Sequence, residues 1–174
     1  MILRTASIVT LILVLWTNAL YGQRPFERVE LIRVDSAKTA SELYRTANRW
    51  FVDTFRDANS VVQLKDSVAA TIVGKGNGKV TWSFGSGGFG TTKDMWYQFA
   101  VDVQAKKGRV RIRVYDFEME GKAIVDSTCC WGDCGKLGKT YYSSMERMCQ
   151  EVRETPTRLV SSLREALVRK EEDW

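Results

Sequence analysis

Two neighbouring segments of the chain alternate apolar and polar residues with a period of two. The first runs from Met95 to Ala105 and the second from Arg109 to Val114. This alternation is typical of β-strands that bury one face. The residues expected on the buried face are Tyr97, Phe99, Val101, Val103, Val110, Ile112 and Val114. The opposite face of the second strand then carries Arg109, Arg111 and Arg113.

The short break between these segments predicts their register. If Lys107-Gly108 is a two-residue hairpin loop, Val103 faces Ile112 and Asp102 faces Arg113. All the apolar residues then share one face, and a slip of one residue would place the valines in water. The sequence therefore predicts an antiparallel hairpin in this register, in which Asp102 neutralises Arg113.

A helical pattern lies upstream of these strands. Thr39 and Glu42 have the capping-box spacing, which marks a helix N-terminus. Apolar residues then recur at helical spacing, as expected for one buried stripe. The stripe comprises Leu43, Ala47, Trp50, Phe51 and Phe55. The pattern predicts a core-facing helix from Ala40 to about Phe55.

Four further segments are rich in β-branched residues and favour strands. They are Phe26–Val34, Ser60–Lys65, Val68–Val73 and Val80–Phe84. The glycine-rich stretch from Gly74 to Gly78 separates the last two. Because glycine weakens a strand interior, we expect a bulge or bend there.

The C-terminal third returns to helical spacing between Met145 and Leu167. Pro156 interrupts it, so either Thr155 caps a new helix or one helix kinks at the proline. The order is strand, helix, at least four strands, helix. This order predicts an α+β fold in which both helices pack on one face of an antiparallel sheet.

The N-terminal residues have the pattern of a secretory signal peptide. Arg4 precedes an apolar run from Ile8 to Trp16, and small residues follow, with cleavage expected after Ala19 or Gly22. The run is too short to cross a bilayer. We therefore predict a signal peptide at residues 1–22 and a secreted or periplasmic single domain at residues 23–174, without stable membrane insertion after cleavage. An uncleaved N-terminal anchor is the alternative.

Part of the chain resembles a known family over roughly Glu27 to Glu118. The residues that carry the resemblance are Glu42-Leu43-Tyr44, Ala47, Trp50-Phe51, Val61-Val62-Gln63, Asp66 and Thr71 to Gly76, with its Gly-Lys-Gly element. They resemble a bacterial family of secreted proteins described as a domain of unknown function with a TATA-binding-protein-like (TBP-like) fold. The resemblance implies a curved antiparallel sheet with helices on its convex side. It implies no catalytic residues.

Four cysteines lie in or after a Cys-rich loop at residues 126–140: Cys129, Cys130, Cys134 and Cys149. An even number in an exported chain favours two disulfides. A bridge between the adjacent Cys129 and Cys130 would be strained. We expect one of these two to pair with Cys134 and the other with Cys149. A zinc site is disfavoured because the usual C-x2-C spacing is missing.

Composition narrows the chemistry further. The chain has 174 residues and no histidine, which excludes Ser-His-Asp and Cys-His nucleophilic sites and His-ligated metals. The run from Gly85 to Gly90 matches G-x-G-x-x-G, but a strand rather than a helix is predicted to follow it. We therefore expect a hairpin connection and no cofactor. Asp116, Glu118 and Glu120 are interpreted as a surface row of carboxylates.

The formal charge of +5 arises from 26 basic and 21 acidic residues. The candidate ligand-binding surface is the row Arg109, Arg111, Arg113 and Tyr115, continued by Phe117. The alternative is a solvated face of the sheet, on which Asp102 neutralises Arg113. Basic groups interleaved with aromatic rings can hold the phosphates and bases of a nucleic acid. Export argues against nucleic acid as the partner. An unknown envelope protein or a small anionic ligand is expected instead.

The leading hypothesis is therefore an exported, non-enzymatic binding or assembly module. The alternative is a carrier of a small apolar or anionic ligand, with a cavity between helix and sheet. Its lining would comprise Trp82, Trp96, Tyr97 and Phe99. A weaker alternative is a hydrolase that uses carboxylates alone.

Overall fold

The computed structural model describes residues 26–55, 61–84, 91–124 and 139–169. Within them the strands are β1 (Arg28–Arg33), β2 (Val62–Asp66), β3 (Thr71–Phe84), β4 (Thr91–Lys106), β5 (Arg109–Met119) and β6 (Lys122–Ala123). The helices are α1 (Ala40–Thr54) and α2 (Lys139–Val168). This order agrees with the predicted succession of strand, helix, strands and helix.

The strands form one antiparallel sheet in the order β1-β5-β4-β3-β2. The short strand β6 pairs with the end of β5, beyond the part that pairs with β1. Both helices pack against the same face of the sheet and share one hydrophobic core with it. The predicted α+β class is therefore confirmed.

The core contains the apolar residues that the alternating pattern predicted to be buried. The predicted inward residues of β4 and β5, from Tyr97 to Val114, are all at most 4% exposed. The stripe of α1 packs against them, with Leu43 and Phe51 completely buried. The predicted capping box is present at the N-terminus of α1. The Glu42 N–H donates to Thr39 Oγ1 at 3.3 Å, and the Thr39 N–H donates to Glu42 Oε2 at 2.7 Å.

The register predicted for the β4–β5 hairpin is confirmed. Val103 lies opposite Ile112, and Asp102 lies opposite Arg113. Beyond Ala100 the regular pairing is interrupted, because a bulge shifts the register between Gln98 and Ala100. Within it Asp116 has φ +57°, which is rare for a residue with a side chain.

The predicted break at the glycine-rich stretch is wrong. Strand β3 is continuous, and its register with β4 runs without a shift from Thr71 to Phe84. Gly74, Gly76 and Gly78 occupy alternate positions on the core face, where aromatic rings fill the space. A Cβ at Gly76 would lie only 2.5 Å from Phe99 Cζ. The glycines are therefore needed for close packing of rings on the sheet.

The start of β3 also differs from the prediction, because residues 67–70 form a turn rather than strand. Asp66 Oδ1 closes this turn by accepting from the backbone N–H groups of Val68 and Ala69, at 2.9 Å each. The carboxylate thereby supplies hydrogen bonds that a strand partner would otherwise give.

Helix α2 continues through Pro156, so of the two alternatives the single helix is observed, and the new helix capped by Thr155 is wrong. Thr155 lies inside the helix and is 6% exposed. Its hydroxyl hydrogen-bonds to the Tyr97 hydroxyl at 2.7 Å and to the Glu151 carbonyl at 3.1 Å. This polar link joins α2 to β4 inside the core.

Neither described helix combines the length and apolar character that a membrane-crossing segment needs.

Several predictions fall outside the described residues. They concern the signal peptide at residues 1–22, the Gly85–Gly90 connection, and Cys129, Cys130 and Cys134. Cys149 is described and lies buried on α2. The two disulfides therefore stay a prediction. The element that follows Gly90 is strand β4, as predicted, whereas a dinucleotide site would need a helix there.

Candidate functional site

The face of the sheet opposite the helices, here called the open face, is covered by no other element in the described ranges. It carries several large apolar side chains that are about half exposed or more: Val29, Leu31, Leu64 and Trp96. Charged and amide side chains surround them. Because the helices fill the core face, the open face is the face of the sheet that is accessible to a partner.

One end of the open face is a cluster of cations on three adjacent strands. Arg109 on β5 lies directly opposite Arg33 on β1 and opposite Lys106 on β4. Arg111 lies next along β5, opposite Leu31. We call these four basic residues, Arg33, Lys106, Arg109 and Arg111, the cationic end. A shallow depression of about 170 Å³ lies among Leu31, Gln104, Lys106, Arg109 and Arg111.

The charge of the cationic end is largely uncompensated. Within the described residues, Arg33, Lys106 and Arg109 form no ion pair, and Arg111 reaches Asp102 at 3.6 Å. Like charges placed directly opposite each other on a sheet are destabilising. The arrangement thus costs stability in the isolated chain and attracts negative charge.

Arg113, by contrast, is already engaged. Its Nη2 and Nε donate to Glu27 Oε2 at 2.7 and 3.0 Å, and its guanidinium lies 4.3 Å from the centre of the Tyr115 ring. The hydrogen bonds that Arg113 donates to the Glu27 carboxylate raise the pKa of Arg113 above its already high usual value. The predicted neutralisation of Arg113 by Asp102 is therefore wrong: Glu27 is its partner, and Asp102 pairs with Arg111.

The predicted binding row is thus divided by the structure. Arg109, Arg111, Arg113 and Tyr115 do follow one another on β5, but Tyr115 and Arg113 are engaged with each other. Phe117, predicted to continue the row, is 1% exposed in the core. The bulge at Asp116 explains this, because one extra residue returns the next side chain to the core face.

Arg33, Leu31 and Lys106 were missed as site residues. They join Arg109 only through the pairing of β5 with β1 and β4. The alternation of Val29, Leu31 and Arg33 already placed them on one side of β1. The predicted hairpin register already placed Lys106 opposite Arg109. For Leu31 and Arg33, the sequence lacked the information that β1 lies beside β5.

The other end of the open face forms a larger depression of about 570 Å³, here called the tryptophan groove. Its lining comprises Asn77, Asp94, Met95, Trp96, Gln98, Glu118, Glu120 and Gly121. Asp94 accepts from Lys79 Nζ at 3.0 Å and from Thr81 Oγ1 at 2.8 Å, and these bonds hold its pKa below the ordinary value of 3.8. Lys93 pairs with Glu120 at 3.2 Å.

Two groups of residues predicted to act together are separated. Tyr97 and Phe99 are buried towards the helices, whereas Trp96 is 62% exposed on the open face, so they cannot line one cavity. The side chain of Trp82 lies outside the described part. The carboxylate row also loses its regular spacing, because Asp116 sits in the bulge and Glu120, with φ +50°, in the turn after β5.

An open antiparallel sheet with two helices on one face, in this strand order, is a TBP-like fold. Residues 30–120 match the family described as a domain of unknown function with TBP-like fold (DUF4468), and the chain belongs to this family. The resemblance stated from the sequence is therefore confirmed. The family description assigns neither a reaction nor a ligand.

Two solved structures are similar to the chain. A DUF4468 family protein from Bacteroides ovatus has 12% identity and a TM-score of 0.55, over 82% of this chain and 91% of that one. A TBP-like protein from Parabacteroides distasonis has 12% identity and a TM-score of 0.51, over 80% of this chain and 92% of that one. At such identity the likeness shows the fold alone. No curated protein matches the chain.

Proposed function

We propose that the chain is an exported, non-enzymatic binding module that holds an anionic segment of an envelope protein on its cationic end. The observation that carries this proposal is the row of cations on three adjacent strands. Arg33, Arg109 and Lys106 lie side by side and form no ion pair with described residues.

The chemistry of the row favours carboxylates. A guanidinium presents parallel N–H groups that match the two oxygens of a carboxylate. A carboxylate in the depression would contact more than one cation and relieve the repulsion between Arg33 and Arg109. Leu31 lines the depression and Val29 lies two residues before it on β1; both are about half exposed and supply apolar surface for a peptide. An acidic peptide with an apolar residue therefore complements this end.

Two arguments support a binding role rather than catalysis. The lowered pKa of Asp94 keeps that carboxylate ionised, whereas a general acid needs a raised pKa. Glu120 is held by Lys93. Asp94 therefore does not meet the requirement for a general acid, and Glu120 is engaged in an ion pair.

Export is part of the proposal and rests on the segment before Gln23. A short apolar run after one basic residue is the signal for secretion. Mass spectrometry of the gene product purified from whole cells tests this. We expect an N-terminus at Leu20 or Gln23, and an intact Met1 with four alkylatable thiols would contradict it.

Binding is tested with a fluorescein-labelled poly-glutamate peptide, whose anisotropy is titrated with the purified chain. The test variant carries Arg33→Gln and Arg109→Gln, here called the open-face variant. Its control carries Arg45→Gln and Arg49→Gln on the exposed side of α1, here called the helix variant. Both variants lose the same charge from exposed positions.

We expect the open-face variant to lose affinity by about tenfold or more, and the helix variant by less than about twofold. Affinity of the native chain should also fall with added salt, because exposed charges are screened. Equal losses in both variants would mean that only net charge matters. That result, or the absence of binding by the native chain, would refute the proposal.

A further inference from the structure

The tryptophan groove lies at the opposite end of the open face from the cationic end and differs from it in chemistry. The indole of Trp96 is 62% exposed, although its neighbours Met95 and Tyr97 are buried. No cation of the described residues lies over its ring. Its cross-strand neighbour Lys79 directs its ammonium to Asp94 instead. A large flat apolar surface is therefore left facing the groove.

Beside the indole runs a polar row across three strands. Asn77 on β3 lies opposite Gln98 on β4, which lies opposite Glu118 on β5. Adjacent strands are about 4.8 Å apart, so the row spans about 10 Å. Within the described part of the chain, none of these three side chains makes a hydrogen bond. Their donors and acceptors are available to a ligand.

The charge of the groove is close to balanced. It contains the carboxylates of Asp94, Glu118 and Glu120, and the first and last are neutralised by Lys79 and Lys93. Such a groove offers no net attraction to an anion and only one unpaired carboxylate to a cation. Binding of an uncharged ligand therefore does not depend on an electrostatic attraction that the groove lacks.

We propose that the tryptophan groove binds a neutral saccharide. One face of a pyranose ring consists of C–H groups, which pack on an exposed indole. The hydroxyl groups both donate and accept, as do the amides of Asn77 and Gln98, while Glu118 accepts from neighbouring hydroxyls. The depression of about 570 Å³ has room for more than one sugar ring. This site is independent of the anionic partner proposed above.

The test follows the indole N–H resonance of Trp96 in the purified gene product, assigned by its loss in Trp96→Phe. The probes are cellotetraose, chitotetraose, maltotetraose and xylotetraose, with choline as a cationic probe. We expect at least one saccharide to shift this resonance saturably. Calorimetry with that saccharide should show a loss of about tenfold or more in affinity for Trp96→Ala.

Gln98→Ala should lower the affinity for the same saccharide by about threefold to tenfold, because it removes one hydrogen-bonding side chain from the polar row. Two controls on the open face should bind normally: Leu31→Ala, which removes another exposed apolar side chain, and the open-face variant. Thermal unfolding checks that each variant is folded. If no saccharide shifts the resonance, if choline alone shifts it, or if Gln98→Ala binds as the native chain does, the proposal is wrong.

Discussion

The two faces of the sheet are made by alternate residues of the same strands, yet they are built differently. On the core face of β3, Gly74, Gly76 and Gly78 give room to rings from α1 and β4. On the open face of the same segment, Lys75 and Asn77 are exposed and polar. One face is specified by close packing, and the other carries exposed side chains whose replacement displaces no packed ring. The comparison suggests that stability and binding can be changed separately in this fold.

The packed face contains a continuous cluster of rings. Phe99 and Phe117 stack with centroids 5.5 Å apart, and Phe55 reaches Phe99 at 6.5 Å. Aromatic pairs of this kind contribute about 0.5–1.5 kcal/mol beyond their buried area. Substitutions that displace a ring should therefore have the largest effects on the free energy of unfolding.

The largest effect is expected for Gly76→Ala. The new methyl group would meet Phe99 Cζ at 2.5 Å and Phe55 Cε1 at 2.8 Å, so these rings must move. Overpacking of this kind costs about 1–3 kcal/mol. Urea unfolding measures the loss. The control is Asn77→Ala, the next residue on the same strand but on the open face, which should change stability by less than about 0.5 kcal/mol.

A second change should restore the packing. Phe99→Leu shortens the side chain that the new methyl group meets, so the cost of Gly76→Ala should be smaller in a Phe99→Leu background. Equal costs for Gly76→Ala and Asn77→Ala would contradict the assignment of the glycine row to ring packing.

The next effect is expected at the buried hydroxyl pair between β4 and α2. Tyr97→Phe removes the 2.7 Å bond to Thr155 and leaves the Thr155 hydroxyl its bond to Glu151. We expect a loss of about 1 kcal/mol in urea unfolding. Trp96→Phe, on the adjacent open-face position, should have little effect. A greater loss of unfolding free energy for Trp96→Phe than for Tyr97→Phe would contradict the view that the core face determines stability.

A smaller effect depends on pH and involves the capping box. Hydrogen bonds from the Thr39 backbone and hydroxyl lower the pKa of Glu42 below its ordinary value of 4.5. A lowered folded-state pKa means that the stabilisation is complete above about pH 4.5 and is lost as the pH falls through the folded value. The difference in unfolding free energy between the native chain and Glu42→Gln should therefore shrink in acid.

Urea midpoints of both proteins from about pH 7 to about pH 3 measure this difference. Glu165→Gln, a substitution at an exposed position on α2, serves as the control for removal of a carboxylate. A difference that grows as the pH falls would contradict the predicted sign.

The smallest effect is expected for the open-face variant, and its sign is informative. Removing two like charges that lie opposite each other should raise the unfolding free energy by a few tenths of a kcal/mol. The helix variant should not gain stability, because Arg45 also helps to stabilise the ionised Glu42. A loss of stability in the open-face variant would mean that the arginines are structural rather than available to a partner.

Local patterns in the sequence predicted the parts of the fold that depend on local chemistry. The capping box at Thr39, the stripe of α1 and the β4–β5 register are encoded in adjacent residues, and all are confirmed. The glycine row was misread, because the rings that require it come from α1 and β4. From the sequence alone, glycine within a strand predicts a bulge or bend. The distant rings that explain these glycines are identified only by the fold.

The candidate site was predicted only in part for the same reason. Arg109 and Arg111 were found from alternation on β5, but Arg33 joins them through a strand pairing between distant segments. The partner of Arg113 was also misassigned. Glu27 precedes β1 and comes within reach of Arg113 only once β1 lies beside β5.

The most direct test of the binding account is to map the poly-glutamate peptide on the backbone amide resonances of the isotope-labelled chain. The account predicts that the largest shifts fall on β1 and β5, around Leu31, Arg33, Arg109 and Arg111, with α1 unchanged. Shifts centred on the exposed side of α1, or spread evenly over both layers, would contradict it.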